Sequence, residues 1–251
     1  MSDSARMRET ICNNKIASSK SKKTEKKLAI VSKHVLGDLQ DEFPEEKIEI
    51  QSQLGNKELI EATKKFFEQT IYVEANGEPL KAMTNNLRSS IRPDGGIITI
   101  EIEGKKHVVL VAENKIQGTN KKRKQEGEIK QAMGNAIERL AKNVKEIELF
   151  TALEEITPYV TFASGCDLYE GSPIQERVRS LTCRTGFNKI YLYDALSCNG
   201  ERPLKRATIF MREEEWSYEE IYDVLYEMAS GAVEYYLKKY SNLDGDKNEV
   251  V

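Results

Sequence analysis

The chain has 251 residues, with 38 Lys and Arg against 41 Asp and Glu, a net charge of −3 and 31% charged side chains. That length can bury one sizeable core, or carry a core with appended arms. No apolar run is long enough to span a bilayer, and residues 1–25 are polar and Ser/Lys-rich, unlike a secretory leader, so a cytoplasmic protein with no membrane partner is expected.

In chain order, residues 1–26 read as a basic, flexible arm, too poor in apolar side chains to fold alone. Residues 27–240 read as one domain and 241–251 as a polar tail. Helices are expected over Lys27–Glu42 and Lys57–Gln69. Ile98, Ile100 and Ile102 alternate with Thr99, Glu101 and Glu103, and Val108–Ala112 is an unbroken apolar run suited to a strand buried on both faces. Gly104-Lys105-Lys106 supplies the turn between them. Ile137, Leu140, Ala141, Val144, Ile147 and Phe150 mark an amphipathic helix; Asn135, with Glu138 three residues on, reads as its N-cap.

Strands follow over Tyr159–Ala163, Lys189–Tyr193 and Ala207–Arg212. Ser217 and Glu220 form a capping box for a last helix, striped by Ile221, Val224, Leu225, Met228, Ala232, Tyr235 and Tyr236. Those tyrosines could stack on bases, but at helical spacing they read more readily as core or subunit interface. The order of elements implies an α/β fold, a mixed central β-sheet flanked by helices on both faces.

Charge is unevenly distributed. Lys15, Lys20, Lys22, Lys23, Lys26 and Lys27 cluster near the amino end, and Lys121-Lys122-Arg123-Lys124 forms a second run. Either is a solvated loop or a surface for phosphate. Cys12, Cys166, Cys183 and Cys198 make no C-x-x-C pair, and only His34 and His107 accompany them, which argues against zinc and for reduced thiols. There is no Gly-rich NTPase loop, so ATP-driven chemistry is not supported.

The chemistry concentrates in Ser90-Ile91-Arg92-Pro93-Asp94-Gly95-Gly96 and Val111-Ala112-Glu113-Asn114-Lys115. Reflecting Asp94 about a turn near Lys105 brings it towards Ile116, at the Glu113–Lys115 end of the partner strand. Glu113 and Lys115 are two apart and share a strand face. Gly95-Gly96 allows the bend that follows Asp94. Two carboxylates offer hard oxygens to Mg²⁺, and an ammonium can position water or stabilise a pentavalent transition state, so the set suits phosphodiester hydrolysis. The bland reading is a charged strand end with an incidental lysine. For Asn135 and Glu138 it is a simple helix start; the functional one adds that Asn can pair bidentately with adenine.

These blocks resemble the EcoRI family of type II restriction endonucleases, within the PD-(D/E)xK nucleases. The matching stretches are Ser89–Ile97, Val108–Gly118 and Gly134-Asn135-Ala136-Ile137-Glu138-Arg139 with Lys142-Asn143. The resemblance implies a restriction-endonuclease-like core with DNA-embracing arms. Asp94, Glu113 and Lys115 fall on the family's catalytic residues, and Asp94, Glu113 and the Asn114 backbone carbonyl on its metal ligands. Asn135, Ala136, Glu138 and Arg139 fall on the segment that reads a central AATT, with Gln117 near the thymine side. Arg92, Lys142 and Asn143 fall near the DNA backbone, and Lys122 lies in a run suited to embracing phosphate. Arg177 matches one of two downstream arginines; Arg179 or Ser180 answers to the second.

The resemblance further implies Mg²⁺, with Mn²⁺ able to substitute, double-stranded DNA as substrate, a homodimer and a companion DNA methyltransferase. Asn114 stands where the family has a small residue, and Gln131-Ala132-Met133 departs from the family's pattern ahead of Gly134. That stretch bears on the outer base pair, for which GAATTC is the reading taken. The alternatives are a nuclease of the same fold acting in repair or on DNA structure, a sequence-specific binder with a dead site, and a general nucleic-acid binder using only its lysine runs.

Overall fold

The computed structural model describes residues 3–69, 90–116, 125, 127, 134–151, 154–168, 171–180, 191–194 and 207–246. Six strands among them form one sheet: β1 (Lys47–Gln51), β2 (Ile97–Ile102), β3 (Lys105–Ile116), β4 (Tyr159–Ser164), β5 (Tyr191–Asp194) and β6 (Thr208–Arg212). Their order is β1-β2-β3-β4-β6-β5. β1, β2 and β3 pair antiparallel, whereas β3–β4, β4–β6 and β6–β5 are parallel. The expected mixed α/β sheet is therefore present.

The hairpin differs in detail from its expectation. Glu103 (φ 50°) and Gly104 (φ 72°) make a two-residue turn with both residues left-handed, a geometry that matches the twist of the flanking strands. Ile102 pairs with Lys105, so β3 starts where the turn was expected to continue. A bulge follows: Thr99 faces Val108 but Ile98 faces Leu110, leaving Val109 as the extra residue. Turn and bulge together bring Asp94 level with Asn114 rather than Ile116.

The bulge also sorts β3 between two cores. Val109, Leu110 and Ala112 pack with the first helix α1 (Asp3–Glu42) and the last helix α5 (Tyr218–Asp246). Val108 and Val111 pack on the opposite face, with α2 (Asn56–Gln69), α3 (Gly134–Phe150) and α4 (Pro173–Ser180). Helices thus lie on both faces, as a sheet with two apolar faces requires.

The helix expected from Lys27 begins at Asp3, so the division expected at 26/27 falls inside α1. No Gly or Pro interrupts residues 3–36, which removes the usual reason to stop. Its Leu28, Val31, Val35 and Leu39 are buried. α1 and α5 run parallel in register: Tyr222 donates to Asp38 and Tyr226 to Glu42, the latter at 2.7 Å, with the two rings stacked 5.8 Å apart. Tyr236 is buried and Tyr235 half-buried, so this stripe is core.

α5 opens with the capping box read from the sequence. Glu220 N donates to Ser217 Oγ at 3.1 Å, and Ser217 N to Glu220 Oε2 at 2.7 Å. Buried Arg212, at the end of β6, donates to both Glu220 oxygens at 2.7 and 2.6 Å and lies 3.9 Å over the Trp216 ring. Its hydrogen bonds pull the Glu220 carboxyl down to about 2.

β1 and α4 were not anticipated. β1 carries Ile48 and Ile50 in strand alternation, paired with Ile100 and Ile98. α4 is eight residues long, and its buried apolar side chains among the described residues are Ile174 and Val178, one turn apart. Its signal was local: Ser172 Oγ accepts from Gln175 N at 3.0 Å, with Pro173 at the first helical position.

Candidate active site

Pro93–Gly96 is built to hold Asp94 against β3. Gly96 N donates to Pro93 O at 3.1 Å, and Gly95 N to Ala112 O at 2.9 Å. Gly96 sits at φ 80°, where a side chain is strained. Gly95 is required for a different reason. A Cβ there would lie 2.8 Å from both Ala112 Cβ and Ser32 Oγ, so only glycine lets the turn approach β3 and α1 this closely. Asn114 N then donates to Asp94 Oδ2 at 3.1 Å, fixing one oxygen and leaving the other free of this bond.

Glu113 and Lys115 project from the face that α3 covers. The Lys115 ammonium forms an ion pair with Glu113 Oε1. On the other carboxylate oxygen, Oε2, the Tyr159 hydroxyl donates at 3.0 Å and Asn143 Nδ2 at 2.9 Å. Glu113 is 3% exposed, and Lys115 retains 18% of its side-chain surface. All three charged groups thus meet at one end of the hairpin.

Burial is the largest influence on the Asp94 carboxyl and the Tyr159 phenol. It pushes the Asp94 carboxyl up to about 6; the Glu113 charge adds to this, while Lys115 and the Asn114 N–H oppose it. Burial and the Glu113 carboxylate hold the Tyr159 phenol well above its ordinary 10.0, so it stays a neutral donor.

The donor set fits a hard divalent cation. Ala112 exchanges both backbone bonds with the Gly95–Gly96 side of β3. Asn114, two residues on, points its N–H to that side and therefore its carbonyl also. Two carboxylates and a carbonyl are oxygen ligands of the kind Mg²⁺ takes, with remaining positions left to water. Among the described residues no group of three or more His, Cys, Asp or Glu side chains is placed to hold a metal ion.

Of the other expected site residues, Asn143 joins this cluster, whereas the described side chains of Arg92, Lys142 and Arg177 have partners elsewhere or lie exposed. Arg92 is exposed and donates through Nε to Gln53 Oε1 at 2.5 Å. Lys142 is 56% exposed and pairs with Glu146 at 3.5 Å across one helical turn. Asn143, expected near the DNA backbone, donates through Nδ2 to Glu113 Oε2. Arg177 is exposed on α4. Asn135, Ala136, Glu138 and Arg139 lie in the first turns of α3, their side chains outside the described residues. The helix runs from Gly134, which puts Asn135 at its amino end. Gln117 and Lys122 lie outside the described residues.

In the sequence Tyr159 marks only the start of a strand. Its place beside Glu113 depends on parallel pairing of β3 with β4, where Val111 faces Tyr159 and Glu113 faces Thr161. No local pattern encodes that register.

A family model described as restriction endonuclease EcoRI matches residues 11–177, more than half of the chain. The chain belongs to the EcoRI restriction endonuclease family. It is similar to the type II restriction enzyme RsrI of Cereibacter sphaeroides, at 32% identity over 147 residues covering 54% of this chain and 48% of that protein. It is likewise similar to the type II restriction enzyme EcoRI of Escherichia coli, at 35% identity over 147 residues with the same coverage. The match therefore spans about half the length of these relatives. Asp94, Glu113, Lys115, Asn143 and Tyr159 all lie within the family span, whereas β5, β6 and α5 lie beyond it. Among the described residues no helix is long and apolar enough to cross a membrane.

Proposed function

We propose that the chain is a type II restriction endonuclease that hydrolyses both strands of double-stranded DNA at a palindrome centred on AATT, GAATTC in the preferred reading. The observation that carries this is the meeting of Asp94, Glu113 and Lys115 at one strand end, in a chain of this family. Two of its relatives bear the name of type II restriction enzymes.

Asp94, Glu113 and the Asn114 carbonyl would hold Mg²⁺, or Mn²⁺ in its place. Such a cation, when bound, lowers the pKa of water and neutralises charge on phosphoryl oxygens. The chain's own residues supply the rest. Glu113 keeps Lys115 beside the reacting centre, so its ammonium can orient the attacking water and face the developing negative charge. Displacement in line at phosphorus releases the 3′ oxygen and leaves a 5′-phosphate, with 5′ overhangs as the expected stagger. Asn135, Ala136, Glu138 and Arg139, with Gln117, read base edges. Arg92, Lys122, Lys142 and Asn143 lie towards the phosphate backbone, and Arg177 is a further DNA contact.

A two-fold palindrome calls for a two-fold protein, so the working form is a homodimer with one site per strand. A companion DNA methyltransferase protects the host's own sites, and the cytoplasm is where both meet DNA. Digesting a randomised duplex library with purified protein in Mg²⁺, and sequencing the ends, tests the reading. Ends should converge on one AATT-centred palindrome with a fixed stagger; ends without a shared sequence, or enriched at nicks and branches, would select a different nuclease role.

A further inference from the structure

The Glu113 carboxylate is gripped asymmetrically. A carboxylate offers about two lone-pair positions on each oxygen. On Oε2 both are occupied, by the Tyr159 hydroxyl at 3.0 Å and Asn143 Nδ2 at 2.9 Å. Oε1 accepts from the Lys115 ammonium, which leaves it one position. The grip comes from two separate elements, β4 and α3, that are 46 and 30 residues from Glu113 in sequence. Tyr159 is fully buried, so its hydroxyl is beyond the reach of DNA.

We infer that Tyr159 and Asn143 are positioning residues that lock Glu113 into single-oxygen binding of the divalent cation through Oε1. This rests on the proposed nuclease reading, and it adds which oxygen binds and which side chains dictate it. With Oε2 saturated by neutral donors, the carboxylate cannot swing to two-oxygen binding without breaking the bonds from Tyr159 and Asn143. Oε1 is thereby presented to the cation on the same side as Lys115, so ligand and ammonium share one geometry. Outer partners of a metal-ligating carboxylate of this kind commonly govern metal affinity by about 10–100-fold.

The test titrates Mn²⁺ alone onto the full chain and reads free Mn²⁺ by electron paramagnetic resonance. Tyr159→Phe removes one hydroxyl and leaves the ring's packing. It should weaken Mn²⁺ binding about 10–100-fold and raise the Mg²⁺ needed for half-maximal cleavage by a similar factor. DNA affinity in EDTA should stay within about twofold, because Tyr159 is sealed from DNA. Tyr236→Phe, a buried phenol on α5 away from this cluster, should leave Mn²⁺ binding unchanged. Should Tyr159→Phe not fold, Asn143→Leu takes its place and should weaken Mn²⁺ binding in the same way. Wild-type affinity in the folded variants, with a wild type that binds Mn²⁺ and cuts, overturns this inference alone. A wild type that takes up no Mn²⁺ and cuts nothing removes the nuclease reading with it.

Discussion

Replacing Asp94 by asparagine is expected to stabilise the cation-free chain while abolishing cleavage. An ordinary Asp titrates near 3.8, and burial lifts Asp94 to about 6. At about 1.36 kcal/mol per pH unit, keeping it ionised costs about 3 kcal/mol. Part of the group still meets water, so the variant should recover about 1–3 kcal/mol. Asparagine fills the same volume, and its amide oxygen can still accept from Asn114 N–H. The gain depends on pH with a defined sign. Because the folded value is raised, the wild type keeps its full stability below 3.8 and loses it as pH climbs through about 6. The two proteins should therefore match at low pH and separate between those values, with the variant favoured above them. Urea unfolding in EDTA across that window measures the gap at constant m-value. Mg²⁺ should then stabilise the wild type selectively, since it binds only the ionised site. An Asp94→Asn protein no more stable than wild type at pH 8, or a gap that ignores pH, would refute the reasoning.

Gly95→Ala forces a methyl group to within 2.8 Å of Ala112 and Ser32, which should cost about 1–3 kcal/mol and slow cleavage by displacing Asp94; denaturation and single-turnover rates report both. Glu220→Ala strips buried Arg212 of a two-oxygen partner and removes half of a capping box, so about 3 kcal/mol should be lost in urea unfolding. In the wild type that contribution is present above 4.5 and fades as pH falls towards about 2. Asn135→Ala should relax adenine discrimination by ~1–3 kcal/mol if its pairing is bidentate, read as broadened site choice in end sequencing.

How much of this was legible in the sequence depended on range. Glu113 and Lys115 were readable because strand period two puts them on one face, and Ser217 with Glu220 because a capping box is complete within four residues. The convergence of Asp94 was readable in outline only. Its partner shifted from Ile116 to Asn114 because the turn sits at Glu103-Gly104 and Val109 is an extra residue, neither of which alternation specifies. Tyr159 and Asn143 were invisible as partners of Glu113, since a parallel register and a helix packing on a sheet face are set by the assembled core. β1 escaped notice because two isoleucines in five residues are too few to announce a strand. α1 was truncated because a lysine-rich, apolar-poor stretch reads as an arm even where nothing breaks the helix.

The sharpest trial offers purified wild type, Glu113→Ala and Lys115→Ala a duplex bearing GAATTC, in Mg²⁺ and in EDTA, and resolves the strands on a denaturing gel. Only the wild type, and only with Mg²⁺, should release fragments ending in 5′-phosphates from both strands. Scission that persists in either variant, or an intact duplex after wild-type digestion, would contradict the assignment of hydrolysis to this cluster.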